Sequence, residues 1–259
     1  MKHVAVACTA LLLAGCGGGG GSGSAQDVLS ETAANLGKIR AGTLHLELVV
    51  TPRGKGLGGA TGFRINGPFG LSSGKRYPTA NIAYTQLASG KSATVRVVSN
   101  GRTGYVQSNG ARHALTAVQL ELLRRAAATS GDPSGGLADV VIDRWIVDPK
   151  LSDGGDVGGT ATDHVHARLD VVQTVNGLLP LAPGTHVMRI TGQNAKRLAH
   201  AVRSSSFDVY TGKDDHLLRR ATVDVDFALD VPKQLRQALG DLVGAKVHFL
   251  VGVDDPRKR

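Results

Sequence analysis

The chain has 259 residues, with 30 Lys+Arg against 21 Asp+Glu for a net charge of +9, 41% hydrophobic and 4% aromatic residues, 35 Gly and two Cys. That apolar fraction supports a real core in one large domain or two small ones, which excludes wholesale disorder. Two cysteines exclude a disulfide scaffold or a Cys-rich zinc site, and beyond the N-terminus no apolar run approaches the roughly 20 residues of a membrane-spanning helix.

Met1-Lys2-His3 is a short basic start, Val4 to Leu13 is apolar, and Ala14-Gly15 are small residues directly before Cys16. This order reads as an export signal over residues 1–15. Leu13-Ala14-Gly15-Cys16 also resembles the lipobox of bacterial lipoproteins, in which the Cys receives a diacylglyceryl group and becomes the first residue after cleavage. Processing there removes Lys2 and Cys8 and leaves Cys16 as the lipid anchor, so no free thiol remains for catalysis. Residues 16–24 are the anchor and a Gly/Ser tether, whose eight residues from Gly17 reach on the order of 15 Å. Two acyl chains give stable anchoring where one is marginal.

Asp27 to Ile39 carries Val28, Leu29, Thr32, Leu36 and Ile39 on one helical stripe, with Gly42 beyond it. Thr43 to Val50 alternates, with Leu44, Leu46, Leu48 and Val50 on one side and Thr43, His45 and Glu47 on the other. Arg53 to Gly62 is a Gly-rich basic loop. Strand patterns follow at Gly62 to Phe69, Ala80 to Leu87 and Ser92 to Val98, and Ser99 to Arg102 turns the chain into Thr103 to Gln107. Leu115 to Ala128 and Gly136 to Asp143 read as helices. Trp145 to Asp148 and Thr160 to Asp170 return to strand, Gln193 to Arg203 is a further helix, and Phe207 to Thr211, Leu217 to Leu229 and Lys246 to Val253 are three closing strands. Long strands with one wet side argue for an antiparallel sheet. Without internal repeat or linker, residues 25–254 form a single domain and residues 255–259 a short basic tail.

Several patterns invite chemistry. Gly70-Leu71-Ser72-Ser73-Gly74 matches a hydrolase nucleophile elbow, which needs a helix directly after the Ser, and Pro78 opposes one. Gly90-Lys91-Ser92 ends like a phosphate-binding loop but lacks its first Gly and leads into a strand. His164 and His166 point to one side of a strand, a geometry that could give two metal ligands. Arg168, next on that side, is a poor companion for a cation, and solvated histidines are the expected case. Asp224 and Asp226 share an outer face, where paired carboxylates could do acid–base work, and Arg219 and Arg220 nearby make a solvated charge ladder the blander account. The expectation is therefore no catalytic residue, no cofactor and no metal. The basic residues Arg53, Lys55, Lys75, Arg76, Arg124, Arg125, Arg219, Arg220 and Arg257-Lys258-Arg259 suit anionic lipid headgroups or merely aid solubility; export argues against nucleic acid.

A family resemblance rests on local motifs: Gly104-Tyr105-Val106 ahead of Gly110 and His113-Ala114-Leu115, Trp145 with Asp148-Pro149, Val157-Gly158-Gly159 ahead of Thr162-Asp163-His164-Val165, and Phe207-Asp208-Val209-Tyr210-Thr211-Gly212-Lys213-Asp214-Asp215 running into Leu218-Arg219-Arg220. With the lipobox and the element order, these resemble the actinobacterial LppX/LprG-type lipoproteins. The resemblance implies an α+β fold, a curved antiparallel half-barrel with helices packed on its concave face, similar to the carriers LolA and LolB, and it implies binding of acyl chains of lipids, glycolipids or lipoproteins. Moving a 16-carbon chain into water costs roughly 12 kcal/mol at about 0.8 per CH₂, so a carrier must offer an apolar substitute for the bilayer. The strand sides able to supply it are Leu44, Leu46, Leu48, Ile82, Tyr84, Val95, Val97, Val165, Val223, Val225, Phe227, Val247 and Phe249; the same residues could instead fill a core. The expected function is a lipid-binding carrier held at the outer face of the plasma membrane by Cys16. The alternative is a non-transport envelope lipoprotein acting as a sensor or protein-interaction module.

Overall fold

A computed structural model describes residues 24–55, 57–71, 77–129, 145–178, 189–228 and 242–258. The first helix, α1 (Ala25–Leu36), starts at a capping box: the Ser24 hydroxyl accepts from the Asp27 amide at 3.2 Å, and the Asp27 carboxylate accepts from the Ser24 amide at 2.8 Å. The last tether residue is thus the helix cap. The helix buries Val28, Leu29 and Thr32 and stops at Gly37, so Ile39, expected on its stripe, instead opens β1 (Ile39–Arg53).

Five strands follow β1 in sequence: β2 (Thr61–Gly70), β3 (Thr79–Ala88), β4 (Lys91–Asn100), β5 (Gly104–Ser108) and β6 (Ala111–Ala114). After α2 (Ala117–Thr129) come β7 (Ile146–Val157), β8 (Thr160–Leu169), α3 (Val171–Leu178), α4 (Gly192–Ala201), β9 (Val202–Gly212), β10 (Leu218–Ala228) and β11 (Gly244–Lys258). Among the described residues, all eleven strands form one sheet in the order β6-β5-β4-β3-β2-β1-β11-β10-β9-β8-β7, every neighbouring pair antiparallel. One meander leads outward from β1 to β6, a second leads inward from β7 to β11, and the last strand closes on the first.

The sheet is open, with β6 and β7 as its edges. Eleven strands exceed what a twisted sheet carries flat, and such a sheet curls. The β2 glycines help it to do so: Gly62 at φ 154° and Gly67 at φ 140° hold backbone where a Cβ would strike the carbonyl oxygens of Leu48 and Asn81. Register shifts in the β7–β8, β9–β10 and β1–β11 pairings add local bends. The α+β half-barrel expected from the sequence is the architecture found.

The packed core lies on one face of the β7–β11 half, where Val28 and Leu29 of α1 meet Val165, Ala167, Phe207, Val209, Leu217, Leu218, Val225 and Val253. Two buried hydroxyls fix the helix there, because Thr32 Oγ1 lies 2.7 Å from Thr211 Oγ1. The α3 and α4 helices pack on each other, and α4 also meets β9.

Several elements differ from expectation. Thr43 to Val50 is the middle of a longer β1, Trp145 to Asp148 the start of a longer β7, and residues 255–258, read as a tail, continue β11, Lys258 pairing with Ile39. Arg203 lies in β9, since α4 ends at Ala201. The exposed edge strand β6 and the short α3 were not anticipated, although Asp170, whose side chain accepts from the Gln173 amide at 3.0 Å, is a cap visible in the sequence. The helix expected over Gly136 to Asp143, the motif residues Ser72 to Gly74, and residues 1–23 with Cys16 lie outside the described residues.

Candidate functional site

Directly opposed residues of an antiparallel pair share a face, so register decides which side chains meet. In β1, Leu46 lies between Val251 of β11 and Ile65 of β2, and Leu48 between Phe249 and Phe63. The same face continues outward through Tyr84 to Val95 and through Ile82 to Val97 and Val106. Inward it runs from Phe249 to Val223 and Phe207, from Val247 to Val225, and from Val209 to Val165. Leu44 and Phe227 fall on it by the same alternation. Every lining residue read from the sequence therefore stands on one side of one sheet.

Burial divides that face in two. Val165 at 0% and Val225 at 8% exposure belong to the packed core with α1, and Leu44, Val223, Phe227 and Val247 pack around it. Leu46, Leu48, Ile82, Val95, Val97 and Phe249 are only half-buried, and Tyr84, stacked on Phe63 at 6.0 Å, is 38% exposed. Size explains the division. The 12 residues of α1 make a helix about 18 Å long and 10–12 Å wide, whereas eleven strands about 4.8 Å apart span roughly 50 Å. One such helix covers a fraction of the sheet, and among the described residues the patch across β1–β4 is apolar surface beyond it.

A separate hollow of about 210 Å³ is lined by Ser204, Ser205, Ser206, Asp224, Val225, Asp226, Lys246 and Val247. It is smaller than the roughly 300–1,000 Å³ of usual ligand pockets, and six of its eight lining residues are Ser, Asp or Lys.

The opposite face is wet, and several of its charges are paired. Asp224 lies 2.8 Å from His248 and Asp226 2.6 Å from Arg53, so the two aspartates serve different partners and form no acid–base couple. Nor is there a solvated ladder with Arg219: that side chain is buried, donating to Asp215 at 2.7 Å and to the Leu217 carbonyl at 3.1 Å. Arg168 is taken up by Asp148.

His164 and His166 do share this face, but they are not simply solvated. Asp208, directly opposite His166 on β9, places Oδ1 2.9 Å from His164 Nε2 and 2.8 Å from His166 Nδ1. Burial works to raise the Asp208 carboxyl, and the hydrogen bonds from His166 and His164 outweigh it, holding the group below the usual carboxylate range. The His164 ring stacks on Tyr210 at 4.4 Å and 5°, and its Nδ1 lies 3.3 Å from Ser152 Oγ on β7. Sequence reading missed Asp208 because it is 42 residues from His166 and only strand register brings them together.

An open antiparallel sheet with helices on its apolar side defines an α+β half-barrel. No protein-family model matches the chain, and no curated protein does. Among solved structures it is similar to LprF from Mycobacterium bovis, with 11% identity, 91% of this chain and 97% of that one covered, and a TM-score of 0.41. The lipoprotein LppX from Mycobacterium tuberculosis gives 11% identity, 90% and 97% coverage, and a TM-score of 0.37. A LolA-superfamily protein from Nitrosomonas europaea gives 10% identity, 91% and 96% coverage, and a TM-score of 0.20. At such values no residue role is carried over.

Proposed function

We propose that the chain is an envelope lipoprotein, tethered to the outer face of the plasma membrane through Cys16, that holds acyl chains of lipids or glycolipids against the apolar face of its sheet. The observation that carries the reading is the half-buried patch formed by Leu46, Leu48, Phe63, Ile65, Ile82, Val95 and Val97 beyond α1. A contiguous apolar patch of this kind on a folded chain calls for an apolar partner. The export signal, lipobox and short tether would keep it within reach of a bilayer, and among the described residues no helix is long and apolar enough to cross one. The reading is of binding without chemistry, because Pro78 opposes the helix that a nucleophile at Ser72 would need.

Val97, on the β4 side of the patch, faces Ile82 on one side and Val106 on the other. Val97→Asp would place a charge where an acyl chain lies, at a position exposed enough for the fold to survive. Native mass spectrometry of protein purified from its own host should find lipid on the wild type and little on the variant. Equal occupancy in two equally folded proteins would overturn the assignment of this face. Val225 is unsuitable for the purpose, because a larger side chain there would overpack the core itself.

A further inference from the structure

We propose that His164, His166 and Asp208 form a binding site for a divalent transition-metal ion of the zinc class, on the face of the sheet opposite the apolar patch. The three donors come from adjacent strands, β8 and β9, whose register is fixed on both sides by further strands. One ligand atom from each residue lies within 4.8 Å of the others. Zinc bonds of about 2.0–2.2 Å place two donors on one ion roughly 3.3 Å apart, so the present 2.8 and 2.9 Å contacts need to open only slightly. Two imidazoles and a carboxylate are a donor set for Zn²⁺, Cu²⁺ or Ni²⁺ rather than for Mg²⁺ or Ca²⁺, which require oxygen ligands.

The surroundings hold the first ligand in place. The ring of His164 is clamped flat against Tyr210, and with its proton on Nδ1 it would donate to Ser152 Oγ and leave Nε2 free for the ion. His166 would carry its proton on Nε2 and offer Nδ1, so in place of the protons the two rings now direct at Asp208 each would present a lone pair to the ion. The nearby cations are partly diverted: Arg168 pairs with Asp148, and Arg220 lies over the Tyr210 ring at 5.9 Å. Lys150, the cross-strand neighbour of His166, is a positive group beside the site, and Arg203 is another farther along β9. With His166 half exposed, the ion would keep water in its open positions. Two histidines two apart on a strand gave only half of this arrangement, and Asp208 completes it.

The test uses the full chain in detergent, stripped of metal and titrated with Zn²⁺ by calorimetry. The wild type should bind one more equivalent than His164→Ala, His166→Gln or Asp208→Asn, while His248→Ala, which breaks an isolated His–Asp pair, should keep that equivalent. Ser152→Ala should weaken the site by about tenfold or more. His166→Gln alters a half-exposed side chain, so a loss of zinc there cannot be laid to unfolding. Indistinguishable isotherms for the wild type and the three ligand variants would overturn the proposal, as would an equal loss in His248→Ala. Lipid occupancy is read separately and does not enter this outcome.

Discussion

Arg219 shows how far a single side chain can depart from its appearance in sequence. In the run Leu217-Leu218-Arg219-Arg220 both arginines look solvated, yet Arg220 is exposed and Arg219 is 6% exposed. The register shift between Leu218 and Arg220 inserts Arg219 as the extra residue of β10, and the turn before it returns Asp215 to meet the guanidinium. Gly212 makes room, since a Cβ there would fall 2.9 Å from an Arg219 nitrogen and against the Asp215 carboxylate. Removing one partner of a buried pair strands the other charge in a poor solvent. Asp215 is a third exposed, which moderates the cost. We expect Asp215→Asn to lower unfolding stability by about 2 kcal/mol in urea at unchanged m-value. A loss under about 0.5 kcal/mol would mean that water reaches the guanidinium and that the pair is structurally incidental.

At the scale of elements, α1 depends on docking more than on its own propensity, as short helices do. Its apolar contacts fix its depth over the sheet but not its position along the axis. The Thr32–Thr211 contact does that, aided by Asn35 Nδ2, which donates to the His216 carbonyl at 3.1 Å in the β9–β10 turn. Thr211 is 0% exposed and Thr32 5%; the Thr32 hydroxyl donates to the Val28 carbonyl at 2.6 Å, which leaves its oxygen to accept from Thr211. Thr32→Val or Thr211→Val alone should each cost about 1–2 kcal/mol by leaving a buried hydroxyl with fewer partners. The double variant should cost less than the sum of the two, with a coupling of about 1 kcal/mol. Strict additivity in thermal or urea unfolding would show that the hydroxyls do not hold the helix.

For the whole molecule, ion pairing leaves the net charge of +9 standing, because each pair takes up one cation with one anion, and only decides which cations are free. Arg53 is bound to Asp226, Arg124 to Glu121 and Arg219 to Asp215. The Glu121 carboxyl is correspondingly held down to about 2, chiefly by its hydrogen bond from Arg124. What remains should still favour an anionic bilayer, at about 1 kcal/mol per basic residue close to the surface. Cys16→Ala should therefore leave the membrane fraction or accumulate uncleaved. The released protein should bind anionic vesicles in low salt and lose them well above physiological ionic strength, where the screening length falls below about 8 Å. A variant that fractionates and migrates like the wild type would refute the anchor, and equal binding to zwitterionic vesicles would refute the electrostatic contribution.

The sequence by itself determined the α+β class, most of the strands and the sidedness of each, because alternation at period two is written locally and survives any tertiary context. It was equally sufficient to place Leu46, Leu48, Ile82, Val97 and Phe249 on the apolar side of their own strands. Strand ends were less legible: β1 runs on to Arg53 and β11 to Lys258 because each is the other's partner, a pairing between the two ends of the chain. Only the tertiary structure decided which apolar residues are packed and which are left half-open, since that depends on where one 12-residue helix lands on a sheet several times wider. It alone brought Asp208 to His164 and His166, and Asp215 to Arg219. Periodicity gives the side of the sheet on which a residue stands; the register and bulges between strands, fixed by the whole fold, give its neighbours.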